Sequence, residues 1–230
     1  QDRLRPGRAD AHPDDEVLGC GATIAKHVRE GDQVHVVILA EGITSRDQTR
    51  KREAHGAELS ELAVAAQKAN DVLGVHSLQL FNLPDNRMDS LDLLDVVKVV
   101  EECVSAIKPD VIYTHHCGDV NIDHRIIHDA VVTATRPQPG QMVKTLLFFE
   151  VCSSTEWQPP GSAPVFAPNW FVDVSNTLSL KMDALTEYHS EMRPWPHARS
   201  NKAVEHLARW RGACVGCDAA EAFILGRRVI

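Results

Sequence analysis

The chain has 230 residues, 43% hydrophobic and 24% charged, with a formal net charge of −8 at pH 7, so one domain over residues 1–230 with a substantial core is the simplest expectation. The acidic balance argues against a nucleic-acid partner, which usually demands a basic face. No apolar run approaches the ~18–20 residues that cross a bilayer and no signal peptide opens the chain, which together read as a soluble, cytoplasmic protein.

Residues 1–10, QDRLRPGRAD, are polar, basic and marked by a Pro-Gly turn signal, and do not read as a strand. A helix is expected from Pro13 to about Arg29, with Val17, Cys20, Gly21, Ile24 and Val28 on one face. Val34–Ala40 is a nearly continuous apolar run rich in β-branched residues, the pattern of a strand buried on both faces. Glu41–Arg46 is then a loop at its carboxyl end, and a long helix is expected from about Gln48 to Val72, closed by Gly74. A short strand at Leu78–Phe81 leads into the turn Leu83-Pro84-Asp85-Asn86-Arg87.

Leu91–Ile107 has helical spacing and stops at Pro109, and Val111–His115 reads as the next buried strand. The loop His116–Ile122 precedes a helix from about Asp123 to Thr135. Thr145–Val151 is a further strand, and the proline-rich stretch from Pro159 to Pro168 an excursion over the surface. Trp170–Val174 reads as a last strand, and Ser175–Glu191 and Lys202–Arg211 as helices. Strands alternating with helices imply an α/β, three-layer fold with a mainly parallel sheet and helices on both faces. In such folds ligands sit beyond the carboxyl ends of the strands, where the opening motif, Glu41–Arg46, Pro84–Arg87 and His115–His124 all fall.

The opening motif is Ala11-His12-Pro13-Asp14-Asp15-Glu16. Proline and acidic residues suit a helix start. His12 and Asp15, three apart, can also converge on one point while Asp14 points elsewhere, and an imidazole with a carboxylate there is a partial metal site. The loop after the strand ending at His115 supplies His124 at another helix start. His124 and His128 are four apart, but the intervening Glu of HExxH is absent. His12, Asp15 and His124 together make a two-histidine, one-carboxylate set with an open position, the pattern of a catalytic metal. The six cysteines read as reduced thiols, and Cys214-Val-Gly-Cys217 is a lone CxxC without the second pair a zinc knuckle needs. Gly19-Cys20-Gly21 is not GxGxxG and gives little support to a phosphate cradle.

AHPDDE, Leu73-Gly74-Val75, Pro84-Asp85-Asn86-Arg87 and the Asn-x-Asp-His loop together resemble the LmbE/PIG-L-type sugar de-N-acetylases. That resemblance implies a Rossmann-like fold and a Zn2+-dependent hydrolase that removes acetyl from an N-acetylglucosamine-type sugar or conjugate. His12, Asp15 and His124 would be the zinc ligands and Asp14 the general base. Asp85 and Arg87, joined by Arg46, would orient the sugar, and the partner would be a small N-acetylated sugar or glycoconjugate, with homo-oligomer formation left open. Two features depart from the family pattern. The usual apolar strand before AHPDDE is replaced by a polar stretch, so the central strand is expected to be irregular or missing. The first histidine of the later His-Pro-Asp-His is Asn121, which can donate a hydrogen bond to an oxyanion but cannot pass a proton. His197, in Arg193-Pro194-Trp195-Pro196-His197, where two prolines could hold a rigid loop over the site, is then the first candidate acid, followed by His189 and His116. A nucleotide-binding module, a catalytically degenerate relative and a metal-dependent amidase acting on a non-sugar substrate are the alternatives.

Overall fold

A computed structural model describes residues 4–230. Seven strands, β1 (Pro6–Asp10), β2 (His35–Ala40), β3 (Ser77–Leu83), β4 (Val111–His115), β5 (Thr145–Phe149), β6 (Trp170–Asp173) and β7 (Ala220–Arg228), form one sheet in the order β3-β2-β1-β4-β5-β7-β6. The first five are parallel, and β7 is antiparallel to both β5 and β6. Six helices accompany them: α1 (Asp15–Arg29), α2 (Gly56–Leu73), α3 (Leu93–Ile107), α4 (Ile122–Ala134), α5 (Leu178–Glu187) and α6 (Asn201–Ala213).

The three layers follow from the period-2 alternation of the strands. Val36 and Ile38 of β2 turn to one face, where they join Val17 of α1, Ala66 of α2, Leu185 of α5 and Val204 of α6. Val37 and Leu39 turn to the other, against Val97 of α3 and Ile127 of α4. The strand order reverses between β1 and β4, and the crevice beyond their carboxyl ends is where such a sheet offers a ligand site.

β1 corrects the expectation of an irregular or missing central strand. It pairs with both β2 and β4 and is buried along its whole length, with Arg8 3% and Asp10 0% exposed. Arg8 and Asp10 are two apart and therefore share a face, where the Arg8 guanidinium donates from Nε to Asp10 at 2.6 Å. Its Nη2 donates to the Asp15 carbonyl at 2.8 Å, and its Cζ lies 4.2 Å from the centre of the Phe149 ring. A polar strand is tolerated in the middle of the sheet because its two charges neutralise one another in place. Pro6 stands at the first position, where a strand accommodates proline.

Three further boundaries differ. The helix expected from Gln48 begins at Gly56, since residues 41–55 wrap around Glu41, whose carboxylate gathers Arg50, Arg52 and Thr44. The helix expected over Ser175–Glu191 spans Leu178–Glu187. Trp170–Asp173 is not the last strand, because β7 follows it and is inserted between β5 and β6. In β7 the buried Glu221 is neutralised by Lys181 of α5 at 2.6 Å. Glu221 also accepts from the backbone of Ala22 and Thr23, and Lys181 Nζ donates to the Leu18 carbonyl. The glycines of Gly19-Cys20-Gly21 serve this packing: a Cβ on Gly19 would collide with the Phe149 ring, and one on Gly21 would lie 3.1 Å from Lys181 Cγ.

Candidate active site

The chain leaves β1 at Asp10 and enters α1 at Asp15, so His12–Asp14 lie at the carboxyl edge of the sheet. Ala11 is tied to both neighbouring strands, its N–H donating to His115 Nε2 at 2.9 Å and its carbonyl accepting from Ala40 N. Asp14 occupies the position before the helix at φ 109°, in the left-handed region that a side chain disfavours. Among the described residues, four of the five non-glycine residues with positive φ gather here: Asp14, Ile43 and Asn86 line the same cavity, and Ser153 lies against Arg199, which lines it too. Backbone strain of this kind persists where the surrounding structure enforces it, and it clusters at functional sites.

His12, Asp15 and His124 are brought together as their spacing suggested, with one ligand atom from each lying within 4.8 Å of the others. Asp15 Oδ2 is 3.2 Å from His12 Nδ1 and 3.1 Å from His124 Nε2. Each histidine is held from behind by a second carboxylate. Asp123 Oδ2 lies 3.0 Å from His12 Nε2 and is itself fixed by the N–H groups of Asn86 and Met88. Asp119 Oδ2 lies 3.1 Å from His124 Nδ1 and accepts from Thr155, while its other oxygen accepts from Ser154 and the Asn121 N–H. These partners assign the tautomers that turn His12 Nδ1 and His124 Nε2 toward Asp15, the arrangement by which metal-binding histidines are oriented. His124 Nε2 is buried with no hydrogen-bond partner among the described residues, although Asp15 Oδ2 lies 3.1 Å away. A buried ring nitrogen turned toward a carboxylate and a second imidazole suits a divalent ion such as Zn2+, so the residues fit a metal.

The electrostatics agree with a site built to hold a cation. Burial works against charge on His124, yet Asp15 and Asp119 hold its pKa up at about 9. Burial likewise opposes ionisation of Asp15, but His124 and His12 pull its pKa well below the ordinary carboxylate range. Asp14 differs: burial pushes its carboxyl well above the usual value, against the pull of Arg199. His115, stacked 3.9 Å from His124, is kept neutral by burial and by that neighbour.

Above these groups is a cavity of about 160 Å3, with His12, Asp14, Arg46, Asp85, Asn121 and Arg199 among its walls. Asp85 accepts from Ser45 N at 2.9 Å and lies 3.2 Å from His12 Nε2. Arg46 pairs with Glu191 at 2.9 Å. Asn121 caps α4 through its side-chain oxygen, which accepts from Asp123 N, and its amide donates to Asn86, so both ends of that side chain are engaged. Arg87 is not among the cavity walls; it donates to the carbonyls of Asp47 and Gln48 and ties two strand-end loops together. His197 is also absent from the walls, its Nδ1 accepting from Arg199 N at 3.0 Å. His116 turns away to the Pro164 carbonyl, and His189 is exposed.

Asp119, Asp123 and Arg199 were not singled out by sequence reasoning. The two aspartates flank the ligand His124 in the loop Asp119-Val-Asn-Ile-Asp-His124, a signal that could have raised them. Arg199 stands 185 residues from Asp14, and nothing local marks it.

A family model described as PIG-L, GlcNAc-PI de-N-acetylase, matches residues 10–135, just over half of the chain. The chain is 30% identical over 134 residues to the uncharacterized deacetylase YaiS of Escherichia coli K12. That match covers 56% of this chain and 66% of the relative, a little under two thirds of its length. In fold the chain is similar to the N,N'-diacetylchitobiose deacetylase of Pyrococcus horikoshii, with a TM-score of 0.77 at 17% identity, covering 98% of this chain and 85% of that one. It is equally similar to GalB, the 4-carboxy-2-hydroxymuconate hydratase of Pseudomonas putida KT2440, with a TM-score of 0.77 at 21% identity, covering 99% and 98%. At those identities the two structures speak for the fold alone, and that fold carries more than one chemistry.

Proposed function

Because the chain belongs to the PIG-L family of de-N-acetylases, we propose that it is a Zn2+-dependent hydrolase that removes the acetyl group from an N-acetylglucosamine-type sugar or sugar conjugate. The observation that carries this reading is the buried, partnerless His124 Nε2 facing His12 and Asp15 beneath a polar cavity walled by Asp14. His12, Asp15 and His124 would hold the ion, which when bound supplies an acidified water and polarises the acetyl carbonyl.

The chain's own residues supply the rest. Asp14 is not a ligand in this reading, and its raised pKa suits a base that works near neutral pH. It takes a proton from the attacking water and, now protonated, returns one to the departing amine, so no second acid is needed where Asn121 stands. His197 would serve as that acid only if its loop moved, since its Nδ1 is engaged by the Arg199 backbone. Asp85 and Arg46 would receive sugar hydroxyls at the cavity rim. Arg87 would act indirectly, by fixing the loops that carry them. Cytoplasmic placement is part of the proposal and rests on the six free cysteines. No helix among the described residues is long and apolar enough to cross a membrane.

The test is acetate release across N-acetylglucosamine, its oligosaccharides, nucleotide-linked forms and glycolipids, with and without chelator. Turnover that chelator abolishes and Zn2+ restores is expected, with Asp14→Asn retaining metal but losing nearly all activity. An active Asp14→Asn variant would remove the base assignment, and hydration of an unsaturated carboxylate without acetate release would remove the deacetylase reading.

A further inference from the structure

We propose that Arg199 is a positioning residue that aims the Asp14 carboxylate across the cavity, a role that rests on the reading of Asp14 as the base. Arg199 lies in the turn before α6, outside the residues that the family model matches. Its Nη1 donates to Asp14 Oδ2 at 3.0 Å, and its Nε donates to Ser153 Oγ at 2.9 Å. Among the described residues no other side chain bonds the Asp14 carboxylate; Glu16 reaches only the Asp14 backbone N–H. One contact therefore sets the direction of that carboxylate.

The guanidinium is itself braced. Arg199 N donates to His197 Nδ1, the Arg199 carbonyl accepts from Arg193 N, and His197 N donates to the Pro194 carbonyl. The loop Arg193–His197 thus holds the arginine, and His197 acts on the site through Arg199. Both groups that Arg199 grips are on strained backbone, Asp14 at φ 109° and Ser153 at φ 67°. A planar fork that spans two such residues fixes a geometry that a flexible lysine would leave loose. Its third nitrogen, Nη2, has no protein acceptor among the described residues, and the residue lines the cavity.

The experiment compares Arg199→Met, Arg199→Lys and Arg199→Ala with the wild type. Arg199→Met should lower kcat about 10²-fold with KM within about threefold and bound zinc unchanged. Arg199→Lys should keep more of kcat than Arg199→Met, and millimolar guanidinium should restore part of the activity of Arg199→Ala. A kcat for Arg199→Met within about threefold of wild type, or a loss carried by KM, overturns the proposal. Urea unfolding of Asp14→Asn, Arg199→Met and the double variant decides independently of activity. Non-additivity of about fivefold or more in the unfolding equilibrium constant supports the contact, and additivity overturns it. A wild type that hydrolyses no acetylated sugar defeats the deacetylase reading alone, and the unfolding cycle then judges Arg199.

Discussion

Asp119 stands behind His124 on the side away from Asp15, with Oδ2 3.1 Å from Nδ1, while Thr155, Ser154 and the Asn121 N–H hold the aspartate in turn. Removing the support frees the imidazole to rotate and lowers its basicity. Asp119→Ala should weaken Zn2+ binding by about 10–100-fold, read by competition with a chromogenic chelator. Asp123→Ala should act in the same direction through His12, and less strongly, since Asp85 also lies 3.2 Å from His12 Nε2. Unchanged affinity in both variants would show that the two carboxylates do not orient metal ligands.

Proton and metal compete for His124. In the metal-free protein its pKa is held at about 9, above the ~6.5 of an unfolded histidine. A raised native pKa contributes stability that is full below about pH 6.5 and is lost as pH climbs through 9. Urea unfolding in excess chelator should therefore show stability falling between about pH 6.5 and 9, with a shallower slope in His124→Gln. Zn2+ affinity should rise over the same interval, with protons released on binding.

The Arg8–Asp10 pair gives an asymmetric expectation. Arg8→Met alone strands a buried carboxylate and should cost about 3–5 kcal/mol. Arg8→Met with Asp10→Leu removes both charges and should recover much of that loss. Chemical denaturation of the two variants checks the difference, and equal losses would show that the pair is not self-compensating.

Gly118 sits where the Pro164 carbonyl presses on the loop that leads to Asp119, and a Cβ there would overlap that oxygen. Gly118→Ala should cost about 1–3 kcal/mol, since backbone must move to admit the methyl group. Gly56→Ala, at the start of α2 with nothing near its added Cβ, should be neutral or slightly stabilising. The two urea midpoints make the comparison.

The ligand set was legible because each member opens a helix: the proline and acidic residues of His12–Glu16 mark one start, and the β-branched run around Ile112 places His124 beyond the carboxyl end of a strand. β1 was not, since its apolar content is low and its two charges are paired with one another rather than with water. β7 hid for a related reason: Glu221 interrupts a run of alanines, and its partner Lys181 is on another element. Arg199 is the extreme case. Its meaning depends on a contact across 185 residues, which no periodicity encodes.

The bond from Arg8 Nη2 to the Asp15 carbonyl joins the central strand to the first turn of α1, directly under His12 and Asp14. The bond must break for either segment to leave the other, since Arg8 Nη2 and the Asp15 carbonyl are partners across the junction. Local opening of the metal loop without the strand is thereby disfavoured, and the two should exchange their amide hydrogens in a single cooperative step. Zn2+ added to the protein would slow exchange not only at residues 12–15 but along the buried edge-to-edge pairing of Gly7, Arg8 and Ala9 with their neighbours in β2 and β4.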